Sequence, residues 1–145
     1  MKDQNHPFHT RGPFGLHYEQ VLKPKIEEIL GEKVEKTESS FDTLDFIGES
    51  YFAELKTRSD QYHYDQWFIK KDGWLIPTCK IRRAIEEVKE GKKVCFFYYW
   101  TAGKSLWKWD FCLEDLKDTL DSVPPWHHDH QRQSYVMEHH WIRVV

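Results

Sequence analysis

Three residues in the first half of the chain have the types and spacing of a metal-dependent hydrolytic site, namely Asp45, Glu54 and Lys56. Glu54 and Lys56 are separated by one residue, so in a β-strand both side chains lie on one face while Leu55 points to the other. Carboxylate oxygens and the Leu55 carbonyl are the hard ligands that Mg²⁺ or Mn²⁺ prefers. Such an ion polarises a phosphate and a water, and Lys56 would orient that water or offset the charge that builds on the phosphate. The predicted reaction is in-line hydrolysis of a phosphodiester.

The length of the turn between two predicted strands decides which aspartate lies on the same face as Glu54. If Gly48-Glu49 forms a two-residue hairpin turn, Thr43 lies opposite Glu54 and Asp45 is its diagonal neighbour on the same face. A three-residue turn reverses the faces and brings Asp42 to the Glu54 side. We prefer Asp45, with Asp42 as the alternative ligand.

Apolar periodicity predicts the elements that must position this site. Helical spacing covers residues 16–30, where Pro24 predicts either a kink or a helix that starts only near Lys23. A second helix is predicted to begin at Thr78, as the N-cap, and to stop at Gly91. Residues 113–120 predict a short third helix. Strands are predicted over 34–39, 41–47, 51–58, 94–100 and 105–111, with a possible edge strand over 141–145.

The order helix, three strands, helix, two strands predicts an α/β fold with a mixed central sheet flanked by helices. A chain of 145 residues has room for one core. We therefore assign residues 16–121 to a single domain. Residues 1–15 form a loosely packed N-terminal arm, and residues 122–145 form a His-rich C-terminal extension packed on the same domain.

The run from Asp45 through Glu54-Leu-Lys-Thr-Arg58 resembles the PD-(D/E)xK, or restriction-endonuclease-like, nuclease superfamily, in particular Holliday-junction-resolvase-like and small viral members. The resemblance covers residues 18–111, although neither candidate aspartate follows a proline. It implies a Mg²⁺-dependent endonuclease that cleaves DNA, with Asp45, Glu54 and Lys56 as catalytic residues, and a homodimer as the acting form. The family often adds a glutamate from the first helix. Glu19, on the apolar stripe of that helix, is the candidate here.

The charge is distributed unevenly along the chain. The net charge is −3, but residues 56–108 hold twelve basic and six acidic residues, a balance of +6, which leaves −9 elsewhere. A basic segment of this kind can contact a phosphate backbone, and interleaved aromatic rings can stack on bases. Solvated helix faces and rings packed on the sheet are the alternative interpretation. The candidate nucleic-acid contacts are Arg58, Tyr62, Tyr64, Gln66, Lys70, Lys71, Lys80, Arg82 and Arg83.

Composition excludes several other classes. The longest apolar run is seven residues, Val94 to Trp100, which is too short to span a bilayer, and the N-terminus has no apolar signal region. The three cysteines are odd in number and widely spaced, which predicts reduced thiols and an intracellular protein, cytoplasmic or nuclear. Dinucleotide, P-loop and serine-hydrolase motifs are missing from the sequence.

Two other functions are compatible with the sequence. The first is a catalytically inactive nuclease fold that binds nucleic acid or serves a structural role. The second is an aromatic-lined pocket for a small apolar ligand, suggested by an aromatic content of 16%. The histidines of the C-terminal segment could bind Zn²⁺, but no cysteine lies near them and a solvated polar tail is the preferred interpretation. They are His127, His128, His130, His139 and His140, with Asp129 among them.

Overall fold

A computed structural model describes residues 12–38, 44–58, 73–121 and 133–145 of the chain. The helices are α1 (Gly12–Leu30) and α2 (Thr78–Lys89), and two short 3₁₀ helices cover Leu113–Asp118 and Glu138–His140. The strands are β1 (Val34–Lys36), β2 (Phe46–Gly48), β3 (Tyr51–Arg58), β4 (Gly73–Pro77), β5 (Lys93–Trp100), β6 (Ser105–Asp110), β7 (Thr119–Asp121), β8 (Gln133–Met137) and β9 (Ile142–Arg143).

Six strands form one mixed sheet in the order β1-β2-β3-β5-β6-β9. β3 and β5 run parallel over eight paired residues, from Tyr51 opposite Lys93 to Arg58 opposite Trp100, and α2 lies in the connection between them. The other neighbouring pairs in this sheet are antiparallel. The predicted mixed α/β architecture is thus confirmed at the level of a six-stranded mixed sheet with two helices.

The sheet carries a hydrophobic core on each face. Side chains of β3 and β5 alternate between the two cores because successive residues of a strand point to opposite faces. The core on the α1 side includes Ile26, Val34, Phe46, Ala53, Leu55, Cys95, Phe97 and Leu106. The core on the α2 side includes Leu44, Ile81, Ala84, Val94, Phe96, Tyr98, Trp109 and Phe111. The uninterrupted apolar run of β5 is therefore explained by burial on both faces.

A second, three-stranded sheet of order β4-β8-β7 was not predicted. β4 pairs with β8 from Gly73 opposite Met137 to Pro77 opposite Gln133, a contact between distant parts of the chain that local periodicity cannot reveal. The short helix predicted over residues 113–120 is present as a 3₁₀ helix over Leu113–Asp118, but the prediction is wrong for its last two residues, which belong to β7. Such short elements depend on tertiary pairing and not on local propensity.

The element ends also differ from the prediction. α1 begins at Gly12 and continues through Pro24 to Leu30 as one helix. The N-cap of α2 is Pro77 and not Thr78, and no side chain caps the helix there. Gly31 and Gly91, at positive φ, follow the two helices as predicted. Neither of the α-helices in the described ranges is long and apolar enough to cross a membrane.

Candidate functional site

The hairpin that carries the predicted acids has a different register from the expected one. Phe46 pairs with Ala53 and Ile47 with Phe52, so the turn consists of Glu49 and Ser50. The predicted Gly48-Glu49 turn, with Thr43 opposite Glu54, is therefore wrong. The true register is shifted by two residues, which preserves the faces and brings Asp45 directly across from Glu54.

The Asp45 and Glu54 carboxylates each accept a backbone hydrogen bond from the neighbouring segment. The backbone N–H of Asp45 donates to Glu54 Oε1 over 3.1 Å, and the backbone N–H of Leu55 donates to Asp45 Oδ2 over 3.0 Å. Each carboxylate is thus fixed by a main-chain donor of the other acid's strand. Side chains held in this way are preorganised, because their orientation follows from the sheet itself.

This arrangement forms where β2 separates from β3. Continued pairing beyond Phe46 and Ala53 would give the Leu55 N–H to the Leu44 carbonyl. That carbonyl instead accepts a hydrogen bond from the Thr37 hydroxyl, and the Asp45 carbonyl accepts the Thr37 N–H over 2.8 Å. The Asp45 carboxylate takes the place of the missing ladder partner. At this point of the sheet a side-chain oxygen therefore replaces a backbone carbonyl as the hydrogen-bond acceptor.

The predicted acidic residues of the site are also buried. Among the described residues, the buried charged side chains are Glu19, Asp45, Glu54 and Lys80, and the three acids are those selected from the sequence. Asp45 is only 1% exposed. Buried acids are costly unless paired and hydrogen-bonded, so their retention requires a specific arrangement around them.

Lys80, predicted with Arg82 and Arg83 as a nucleic-acid contact, is buried inside the protein. Its side chain is 5% exposed and its Nζ lies 3.6 Å from Glu54 Oε1. Arg82 is exposed, whereas Arg83 pairs with Glu86 and Glu87 on the surface of α2. The available signal was helical spacing, since Lys80 lies four residues before the buried Ala84 on the same side of α2.

Glu19, the predicted additional ligand, is buried at a different point. Its Oε1 lies 3.2 Å from Nζ of Lys36, and the pairing of Lys36 with Phe46 places that lysine beside the Asp45 strand. Across the described ranges, no three His, Cys, Asp or Glu side chains are grouped so as to hold a metal ion. The structure therefore shows a carboxylate pair, Asp45 and Glu54, with Glu19 engaged by Lys36.

The remaining predicted residues are divided between described and undescribed parts of the chain. Lys56 is half-buried on β3, opposite Tyr98 of β5, and Arg58 is half-buried at the end of the same strand. Asp42, Tyr62, Tyr64, Gln66, Lys70 and Lys71 lie outside the described residues, as do His127, His128, Asp129 and His130. The predictions for these residues stay predictions.

Two C-terminal histidines are described. His140 Nδ1 lies 3.4 Å from Asp115 Oδ1, and Trp109 Nε1 donates to Asp115 Oδ2 over 2.7 Å. The rings of His139 and His140 lie 4.1 Å apart, centre to centre. These contacts attach the C-terminal segment to the core around Trp109.

A cleft of about 320 Å³ lies at the opposite end of β3 from Lys56. Its lining includes Tyr51, Lys92, Lys93, Lys108 and Asp110. Partial burial alone would lower the pKa of Lys108, but the hydrogen bond and charge of Asp110 outweigh it and raise that pKa, so the ammonium stays charged. The rest of the lining is apolar, with Val88, Val94 and Phe111, so the cleft is mixed in character and the small-ligand interpretation stays a prediction.

Comparisons with protein-family models, curated proteins and solved structures find no significant match to this chain.

Proposed function

We propose that this protein is a Mg²⁺-dependent nuclease that hydrolyses DNA phosphodiester bonds, with Asp45 and Glu54 as its metal-binding carboxylates. The observation that carries the proposal is that these two buried acids accept hydrogen bonds from the backbone of Leu55 and Asp45, where β2 leaves β3. The element order supports it as well. A helix, three antiparallel strands, a second helix and a strand parallel to the third occur in the order of a restriction-endonuclease-like core, with β4 of the second sheet inserted before the second helix.

The donor set suits Mg²⁺ or Mn²⁺. Mg²⁺ in phosphoryl-transfer sites is commonly bound through one or two carboxylates and retains several waters, so a pair of acids suffices. In an extended strand the N–H and C=O of one residue point to the same neighbour, so the Leu55 carbonyl faces the side on which Asp45 accepts the Leu55 N–H. A bound divalent ion would supply Lewis-acid polarisation of the phosphate and of the attacking water.

The chain's own residues supply the rest of the chemistry. Lys56, two residues after Glu54 on the same face, would orient the attacking water or offset negative charge on the phosphate. Arg58 and Arg82 would contact the DNA backbone and make binding sensitive to salt. Glu19 stays a predicted additional ligand, and its described ion pair is with Lys36. The homodimer, the intracellular location and the viral kinship stay predictions of the resemblance and the composition.

Cleavage of plasmid and branched DNA with Mg²⁺ or Mn²⁺ tests the proposal. We expect each of three substitutions to lower the cleavage rate by about a hundredfold or more, namely Asp45→Asn, Glu54→Gln and Lys56→Met. The first two remove a charge that binds the metal ion, and the third removes the charge that acts on the water or the phosphate. Glu35→Gln, at an exposed position on β1, is the matched control and should cleave like wild type.

Equal cleavage by wild type and the three site variants would refute the assignment. Thermal unfolding of each variant must accompany the assay, because Glu54 also pairs with Lys80. Salt-dependent DNA binding without cleavage would instead favour the inactive nuclease fold. One observation favours that second function, namely that Lys80 already supplies Glu54 with a positive partner.

A further inference from the structure

Lys80 occupies a place where an ammonium is unfavourable on two grounds. It lies in the first turn of α2, where the positive end of the helix dipole opposes a cation, and its side chain is almost fully buried. Burial of a lysine requires a compensating partner. Glu54 is such a partner, at 3.6 Å from the Lys80 Nζ.

The contact between Lys80 and Glu54 is an ion pair without a short hydrogen bond. A separation of 3.6 Å exceeds ordinary N–H···O distances, so the attraction is mainly coulombic. The same Oε1 already accepts the Asp45 N–H over 3.1 Å. Lysine also has a flexible four-carbon stem, which lets its ammonium move while the helix stays in place. The neighbouring Cys79 adds no charge, because burial raises the pKa of its thiol.

We propose that Lys80 is the resident counter-ion of the Asp45–Glu54 pair, and that its ammonium withdraws from Glu54 when a divalent cation binds. The inference rests on the proposed function, since it assumes that this pair binds the ion. Without metal, Lys80 balances the buried Glu54 and keeps the pair assembled. With metal, two cations compete for one carboxylate, so Lys80 weakens metal binding and limits occupancy at low metal concentration.

Direct Mn²⁺ binding, followed by the electron paramagnetic resonance signal of free Mn²⁺, tests this role without any assay of cleavage. Lys80→Met should bind Mn²⁺ about tenfold more tightly than wild type, because the competing charge is gone. Lys80→Arg keeps the charge and should stay within about twofold of wild type. Lys89→Met, at an exposed position in the last turn of the same helix, is the matched control and should bind like wild type.

The outcomes separate this inference from the proposed function. If Asp45→Asn and Glu54→Gln abolish Mn²⁺ binding while Lys80→Met binds no more tightly than wild type, the counter-ion role is wrong and the metal site stands. If wild type binds no Mn²⁺, or if the two acid variants bind it like wild type, the proposed metal site and the counter-ion role both fail.

A second measurement on the wild-type protein covers the case in which Lys80→Met does not fold. The ¹³Cε resonance of Lys80, assigned by its loss in Lys80→Arg, should shift on titration with Mg²⁺ as the ammonium leaves Glu54. The Lys89 resonance should not shift. A Lys80 resonance that stays constant while Mg²⁺ binds would overturn the inference.

Discussion

At the scale of single residues, the carboxylates are positioned by backbone donors of a neighbouring strand. Asp45 and Glu54 could be selected from the sequence because alternation along a strand fixes which side chains share a face. The predicted register differs from the observed one by two residues, but the predicted placement of Asp45 on the Glu54 side holds because faces repeat every two residues. Helical spacing indicates that Lys80 lies on the buried side of α2, but its pairing with Glu54 depends on how α2 packs on β3, which no local pattern encodes.

Glu32 provides a residue-scale prediction about pH. Its Oε2 accepts the N–H groups of Ser50 and Tyr51 over 2.9 and 3.1 Å, and the Ser50 hydrogen bond is the main cause of a lowered Glu32 pKa. A lowered folded-state pKa stabilises the protein above the unfolded value, and this contribution is lost as pH falls through the folded value. Glu32→Gln should therefore lower the melting temperature at pH 7 and flatten its decline below about pH 4.5.

Thermal unfolding from pH 7 down to pH 3 measures this effect. Glu28→Gln is the control, because Glu28 is an exposed acid whose described ion pair is with Lys25 on α1. Parallel melting curves for Glu32→Gln and wild type over the whole range would contradict the role of Glu32 in holding the β2–β3 turn.

At the scale of elements, the strands and helices around the site follow from periodicity and the second sheet does not. β3 has the predicted bounds, and the apolar stripe of α2 faces the core that it shares with β5. β4, β7 and β8 have at most five residues and pair across long stretches of sequence. Their formation is decided by tertiary pairing, which is invisible in a local window.

Gly48 gives a prediction at the same scale, since it allows β1 and β2 to approach closely. A Cβ at this position would lie 2.9 Å from the Lys33 carbonyl oxygen, 3.1 Å from Val34 Cγ1 and within overlap of the Glu32 carboxylate. Gly48→Ala should therefore cost about 2–3 kcal/mol of unfolding free energy, because backbone must move. Chemical denaturation of wild type and Gly48→Ala measures this difference in unfolding free energy.

Gly31→Ala serves as the comparison for Gly48→Ala. Gly31 has a φ of 78° and open space around it, so the substitution should cost only about 1 kcal/mol, through backbone conformation alone. Equal costs for the two substitutions would show that close packing at Gly48 does not constrain the β1–β2 pair.

At the scale of the whole molecule, both cores depend on β5, so access to its buried groups should require global unfolding. The Cys95 thiol is fully buried, and burial raises its pKa well above the ordinary value. Cys112 is exposed and Cys79 half-buried. A thiol reagent at pH 8 should label Cys112 rapidly and Cys95 only at the rate of global unfolding.

Mass spectrometry of the labelled peptides distinguishes these sites. Cys112→Ser should remove the fast phase and leave Cys95 labelling unchanged. Labelling of Cys95 at the rate of Cys112 would mean that the sheet opens locally around β5. Addition of denaturant should accelerate Cys95 labelling in parallel with unfolding.

The hydrogen bond from the Leu55 amide to the Asp45 carboxylate makes the Leu55 amide proton a spectroscopic probe of the site. In most of the sheet an amide proton senses a neutral carbonyl, but this one senses a charged oxygen 3.0 Å from its nitrogen. Its chemical shift should respond to any change at the Asp45 carboxylate, whether Asp45→Asn or the arrival of a cation. A single cross-peak in a nitrogen–proton spectrum would thus follow the state of the carboxylate pair without a substrate.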